Sequence, residues 1–286
     1  MGGLIPRTLA EALEARAANP DAVPVAGGTD LMVAVNFGRM HPSQLLDLTR
    51  VEELATWERA GAGIRVGAGM TFARIARELP ELTALAQASR SVGSPQIRNR
   101  GTLGGNIATA SPAGDALPAL AAYDAEVVLA SVRGERRMRW DEFLLAPKRN
   151  ALAGDELIVG VEWHVADGPG SFAKVGTRNA MVIAIASVCL QLDRGARRVR
   201  VALGSVAPTV VRAREAEEFA AEVIDWDDPE RPPSARAAAE FGAFAAAAAR
   251  PIDDLRGSAG YRRRAVEVLA RRALLWAADD RRVVAA

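Results

Sequence analysis

The stretch from Ser91 to Pro118 constrains this chain most. It is dense in Gly, Ser, Asn, Thr and Pro, yet it carries apolar residues at Ile97, Leu103 and Ile107. Leu82 to Arg90 before it has helical apolar spacing, and Glu126 to Ser131 after it reads as a strand. A long polar loop enclosed by regular structure is usually functional or disordered, and the embedded apolar anchors favour function. The fold must hold such a loop against its core.

The surrounding pattern places that loop in a mixed fold. Thr8 and Glu11 form a capping box ahead of an alanine-rich helix to Asn19. Short strands are expected at Val23–Ala26, Gln44–Thr49 and Gly63–Gly67, with Thr71 capping a helix through Glu78. Strand, glycine turn and helix in alternation suggest α/β organisation in this first part. Further strands are expected at Arg136–Trp140 and Glu156–His164. After Asp167–Gly170 the pattern changes, which predicts a domain boundary. Ala186–Leu192 and Arg198–Leu203 flank Asp193-Arg-Gly195 and read as a hairpin. The tail turns helical, with Ala235–Ala249 and Tyr261–Ala278 the best segments, and Asp227–Ser234 (DDPERPPS) reads as a surface linker.

Two glycine-rich loops carry the candidate chemistry. In Val25-Ala-Gly-Gly-Thr-Asp-Leu31, directly after a strand, glycines allow positive φ and close approach of backbone N–H groups to a phosphate, and Thr29 adds a hydroxyl. A glycine pair after a strand also serves as a plain tight turn. The motif is neither G-x-G-x-x-G nor a Walker A sequence, so a Rossmann or P-loop site is not supported. The second loop is Arg100-Gly-Thr-Leu-Gly-Gly-Asn-Ile-Ala-Thr-Ala-Ser-Pro-Ala-Gly-Asp115. Gly104 and Gly105 are expected to expose backbone donors, Thr102, Asn106, Thr109 and Ser111 offer neutral hydrogen bonds, and Asp115 offers an acceptor for sugar hydroxyls. A connector stabilised by Asx turns suits these residues equally well.

Composition excludes several classes. With 36 basic and 35 acidic side chains the net charge is +1, so nucleic acid is not expected as the main partner. Cys189 is the single cysteine; an intrachain disulfide is impossible, and a self-contained iron–sulfur cluster would need about four thiolates. His41 and His164 are the two histidines, far apart, so a histidine-rich metal site is not expected. No apolar run approaches the roughly 20 residues needed to span a bilayer. A cytoplasmic protein with a buried thiol is the expectation.

Taken together, Ala26-Gly-Gly-Thr-Asp-Leu31, Gly101-Thr-Leu-Gly-Gly-Asn-Ile107 and Ser111-Pro-Ala-Gly-Asp115 closely resemble the flavoprotein subunit of the xanthine dehydrogenase and carbon monoxide dehydrogenase family of molybdenum hydroxylases. The likeness continues through Phe172–Arg178, Val206–Ala213 and Arg256–Arg262, so it covers essentially the whole chain. It implies an α+β fold: a two-subdomain FAD-binding fold of the PCMH type over residues 1–168 (subdomains about 1–55 and 56–168), then a C-terminal antiparallel sheet with helices over 169–286. It also implies that Ala26, Gly27, Gly28, Thr29, Asp30 and Leu31 with Thr102, Gly104, Gly105 and Asn106 cradle the FAD pyrophosphate. By the same matching, Thr109, Ser111 and Asp115 hydrogen-bond the cofactor. Lys174 and Arg178 match a segment near the flavin, and Lys174 is carried forward as a contact. Either side chain could equally snorkel from a strand.

The function so implied is electron transfer. Molybdopterin would sit on a large partner subunit and 2Fe–2S clusters on a small one, the complex being a dimer of heterotrimers, and this chain would hand electrons from the clusters to an external acceptor. No residue of the chain need act as acid, base or nucleophile, because the isoalloxazine does the redox chemistry. Two other classes stay open: a free-standing FAD-dependent oxidoreductase with its own organic substrate, and a non-catalytic nucleotide-binding scaffold.

Overall fold

The computed structural model describes residues 2–228 and 231–285, with side chains placed through Asp279; Pro229 and Glu230 of the expected linker lie outside the described residues. The chain begins with β1 (Gly2–Leu4), α1 (Leu9–Ala18), β2 (Val23–Val25), α2 (Leu31–Asn36) and β3 (Gln44–Asp47). These strands form a small parallel sheet in the order β1-β3-β2. Thr8 caps α1 by accepting from the Glu11 N–H at 3.2 Å. Glu11 returns a bond one residue earlier than the capping box expects, to the Arg7 N–H at 2.7 Å.

The middle of the chain builds a five-stranded antiparallel sheet in the order β4-β5-β10-β6-β7, from β4 (Trp57–Ala60), β5 (Gly63–Gly67), β6 (Glu126–Ser131), β7 (Gly134–Arg139) and β10 (Leu157–His164). Between β5 and β6 run α3 (Phe72–Glu78), α4 (Thr83–Ser91), α5 (Pro95–Arg100), α6 (Leu103–Thr109) and α7 (Ala116–Ala122). The stretch expected as one long loop is thus mostly three short helices. Their N-terminal signals are local: Ser94 and Thr102 cap α5 and α6 by accepting from the N–H groups of Ile97 and Gly105. Between β7 and β10 lie α8 (Trp140–Phe143) and a two-stranded ribbon of β8 (Leu144–Ala146) and β9 (Arg149–Asn150).

The C-terminal part is a four-stranded antiparallel sheet, β11 (Gly170–Val175), β12 (Ala186–Asp193), β13 (Arg198–Gly204) and β14 (Val211–Arg212), followed by α9 (Arg214–Val223), α10 (Ala235–Ala248) and α11 (Ala259–Ala285). β12 and β13 form the expected hairpin, with Asp193 opposite Arg198 and Cys189 opposite Ala202. β12 is buried along its length because both faces are covered. Cys189 joins the core shared with α3, α4, α6 and α7, whereas Val188, Leu190 and Leu192 pack with α9 to α11. The α+β class expected from the sequence is the observed one.

Candidate functional site

The two glycine loops touch each other. A Cβ on Gly27 would sit 2.0 Å from the Arg100 carbonyl oxygen and 2.9 Å from Gly101 Cα. No side chain fits there, so the glycine is dictated by the approach of the second loop. Gly28 has φ +72°, a left-handed conformation that glycine adopts at little cost. Among the described residues no acceptor takes the backbone N–H groups of Gly27 to Asp30. The first loop therefore presents a run of open donors.

The second loop differs. The N–H of Gly104 donates to the Ala68 carbonyl at 2.8 Å, and Gly104 is buried against Ala68, where a Cβ would approach to 2.6 Å. The N–H groups of Gly105 and Asn106 are taken by Thr102, through Oγ1 at 3.1 Å and the carbonyl at 3.0 Å. The sequence reading expected exposed donors at Gly104 and Gly105; the structure spends both N–H groups inside the protein, because a capped helix begins there. What remains open is side-chain chemistry. Asn106 Oδ1 is buried without a partner and lies beside the Ser111–Asp115 turn, where a Cβ on Gly114 would come within 3.0 Å of it. Thr109 donates its hydroxyl to the Gly105 carbonyl at 2.8 Å, and the Ser111 hydroxyl accepts from the Ala113 N–H at 3.3 Å.

These segments enclose a cleft of about 530 Å³ lined by Ala26 to Leu31, Thr102, Gly105, Asn106, Thr109, Ser111 and Asp115. Gly104 and Lys174 do not line it. Lys174 stands behind Asp115, along an adjoining cavity. Its Nζ meets Asp115 Oδ2 at 2.6 Å and the carbonyls of Ser91 and Val182 at 2.8 and 3.2 Å. Burial pushes the Asp115 carboxyl up to about 6 against the opposing pull of the Lys174 ammonium and the Ser91 hydroxyl. Asp115 Oδ1 has no partner. Arg178 folds back on its own loop, donating to the carbonyls of Ala180 and Met181.

Sequence reasoning missed one wall of the cleft. Phe72, Val92, Gly93, Met181 and Ile183 also line it. Gly93 with φ +41° was visible as a glycine ahead of Ser94-Pro95; the exposure of Met181 and Ile183, at 53% and 61%, was not. Among the described residues no group of three or more His, Cys, Asp or Glu could hold a metal ion, and no helix is long and apolar enough to cross a membrane.

Comparison with known proteins gives the family. Residues 1–163 match the FAD binding domain in molybdopterin dehydrogenase, and residues 171–277 match the CO dehydrogenase flavoprotein C-terminal domain. The nicotine 6-hydroxylase medium subunit of Paenarthrobacter nicotinovorans is 33% identical over 94% of each chain. The chain belongs to the FAD subunits of the molybdenum hydroxylases. The nicotinate dehydrogenase FAD-subunit of Eubacterium barkeri is 37% identical over 63% of this chain and 64% of its own length. Quinoline 2-oxidoreductase from Pseudomonas putida 86 superposes with a TM-score of 0.86 at 27% identity, over 98% of both chains.

The residues of this FAD subunit suit the cofactor. Open N–H groups after β2 complement an anionic pyrophosphate, and unpartnered acceptors at Asn106 and Asp115 suit hydroxyl or N–H donors. The glycine contact at Gly27 lets the two loops meet along this cleft.

Proposed function

We propose that the chain is the electron-transfer member of a hydroxylase complex and binds one FAD non-covalently between its two glycine loops. The observation that carries this reading is the run of unpaired N–H groups from Gly27 to Asp30, residues that line one cleft together with Asn106 and Asp115. Ala26, Gly27, Gly28, Thr29, Asp30 and Leu31 would hold the pyrophosphate, with Thr102, Gly105 and Asn106 opposite. Thr109, Ser111 and Asp115 would meet the sugar and ring groups. Gly104 and Lys174 would act from behind, Gly104 by packing α6 on Ala68 and Lys174 by orienting Asp115. The chemistry FAD supplies when bound is acceptance of an electron pair and its release singly or together.

In this reading residues 1–168 form the FAD-binding domain and 169–286 close over it. A large molybdopterin subunit and a small 2Fe–2S subunit complete the complex, arranged as a dimer of heterotrimers in the cytoplasm. The lone cysteine, fully buried at Cys189, supports clusters on another polypeptide. The test is made with the purified chain. It should be yellow, release its colour on acid precipitation, bleach with dithionite, and stay oxidised with purines, aldehydes or N-heterocycles until both partners are added. Stoichiometric bleaching by such a substrate with this chain alone would support a free-standing oxidoreductase instead.

A further inference from the structure

Arg262, in the first turn of α11, is 2% exposed. Its Nη1 donates to the carbonyls of Ile185 at 2.8 Å and Ser205 at 2.7 Å, and its Nη2 pairs with Asp254 Oδ1 at 2.6 Å. Each acceptor leads somewhere. Ile185 follows the cleft wall Met181–Ile183 and returns its own N–H to the Val175 carbonyl at 2.8 Å. Ser205 donates its N–H at 2.8 Å to the carbonyl of Pro112, inside the Ser111–Asp115 turn. Asp254 ties the guanidinium to the turn ahead of α11, where Asp254 and Gly257 bond each other through their backbones.

Ser205 adds a second observation. Its φ is +64°, a conformation costly for a residue with a Cβ and kept only where the surroundings enforce it. Here its N–H is held by Pro112 and its carbonyl by Arg262. A planar guanidinium can serve three acceptors at once in fixed directions; an ammonium on a flexible stem cannot hold the same fork.

We propose that Arg262 is a positioning residue for the cofactor, fixing from the C-terminal part of the chain the relative placement of the Met181–Ile183 wall and the Ser111–Asp115 turn. This rests on the FAD reading above. It assigns to a buried arginine remote in sequence from both glycine loops the setting of cleft geometry. Loosening it should relax two walls together while leaving the open N–H groups of Gly27 to Asp30 in place.

The experiment compares Arg262→Lys with Arg212→Lys. The Arg212 side chain is as buried as that of Arg262 and ion-paired, to Asp124 and Glu217, but it contacts α7 and α9 and does not line the cleft. Both variants should lower the melting temperature of the apoprotein. Arg262→Lys alone should weaken FAD binding, by about tenfold or more, and change the visible circular dichroism of the flavin at saturation. If Arg262→Lys does not fold, Asp254→Asn loosens the same guanidinium more gently and should weaken FAD about threefold, with a smaller change of the same spectrum. Wild-type affinity and spectrum in a folded Arg262 or Asp254 variant would overturn the proposal, as would an equal loss of affinity in Arg212→Lys. Wild-type protein that takes up no FAD would sink the FAD reading itself, and that is read before any variant.

Discussion

The first and second glycine loops look alike as sequence and work differently as structure. In the first, Gly27 is forced by a backbone 2.0 Å from where its Cβ would lie, Gly28 by a positive φ, and the N–H groups stay open. In the second, Gly104 packs on Ala68, Gly105 faces the cleft, and the N–H groups of both are spent. Open backbone donors thus belong to the first loop, and the second contributes shape and the side chains of Thr102, Asn106, Thr109, Ser111 and Asp115. Glycine marks a close approach in both: to the backbone of Arg100 and Gly101 at Gly27, to Ala68 at Gly104, and to the Thr102 hydroxyl alone at Gly105.

Three substitutions break or sharpen that contrast. Gly27→Ala should have the largest effect, because Arg100 and Gly101 must move as backbone. A cost of roughly 3 kcal/mol is expected from such overpacking, a fall of about 6–12 °C in melting temperature for a chain of this size, with FAD binding lost as well. Calorimetry of the apoprotein reads it, and an unchanged transition would mean the loops do not meet. Gly105→Val should separate the two properties. Its Cβ meets only the Thr102 hydroxyl, at 3.0 Å, so the apoprotein should melt within about 2 °C of wild type while flavin content after desalting drops to near zero; roughly 0.5 kcal/mol is the scale of a propensity change in a helix. Normal flavin content would move the cofactor away from this loop.

Asp115→Asn gives the smallest effect and tests the far end of the cleft. The Asp115 pKa is raised in the fold, from 3.8 to about 6, so the folded state binds the proton more tightly than the unfolded chain does. Its stabilising contribution is complete below about pH 4 and is lost as pH rises through about 6. The wild-type apoprotein should lose stability over that window relative to Asp115→Asn, measured by urea midpoints at several pH values. Parallel pH profiles would show that the carboxyl is not held in a desolvating site.

Much of the fold was legible where a single residue dictates local geometry. Thr8 and Thr71 announced their helices through capping bonds, and Asp193-Arg-Gly195 announced the hairpin. The Ser91–Pro118 stretch was misjudged as loop because α5, α6 and α7 have 6, 7 and 7 residues, too few for a helical period to register. α9 was legible as well, since Ala216, Glu217 and Ala220 are buried on one face and Arg214, Glu215, Glu218 and Glu222 are exposed on the other, yet it is absent from the expected elements. Residue type could nominate Asp115 and Lys174 but not their pairing, since the two lie on α7's N-cap and β11, brought together only by the packing of the C-terminal sheet. The spent N–H of Gly104 depends on Ala68, a contact no local pattern encodes.

The placement of Cys189 has a practical consequence. Its thiol lies on β12 with no exposed surface, and burial pushes it well above its ordinary range, so no thiolate is available while the sheet is closed. Maleimide or disulfide reagents can react only when β12 separates from one of its two covering layers. The protein thus carries a built-in clock for opening between its two main cores. The labelling rate at one sulfur counts those openings without an introduced probe, and comparing it with and without FAD reads whether the cofactor changes their frequency.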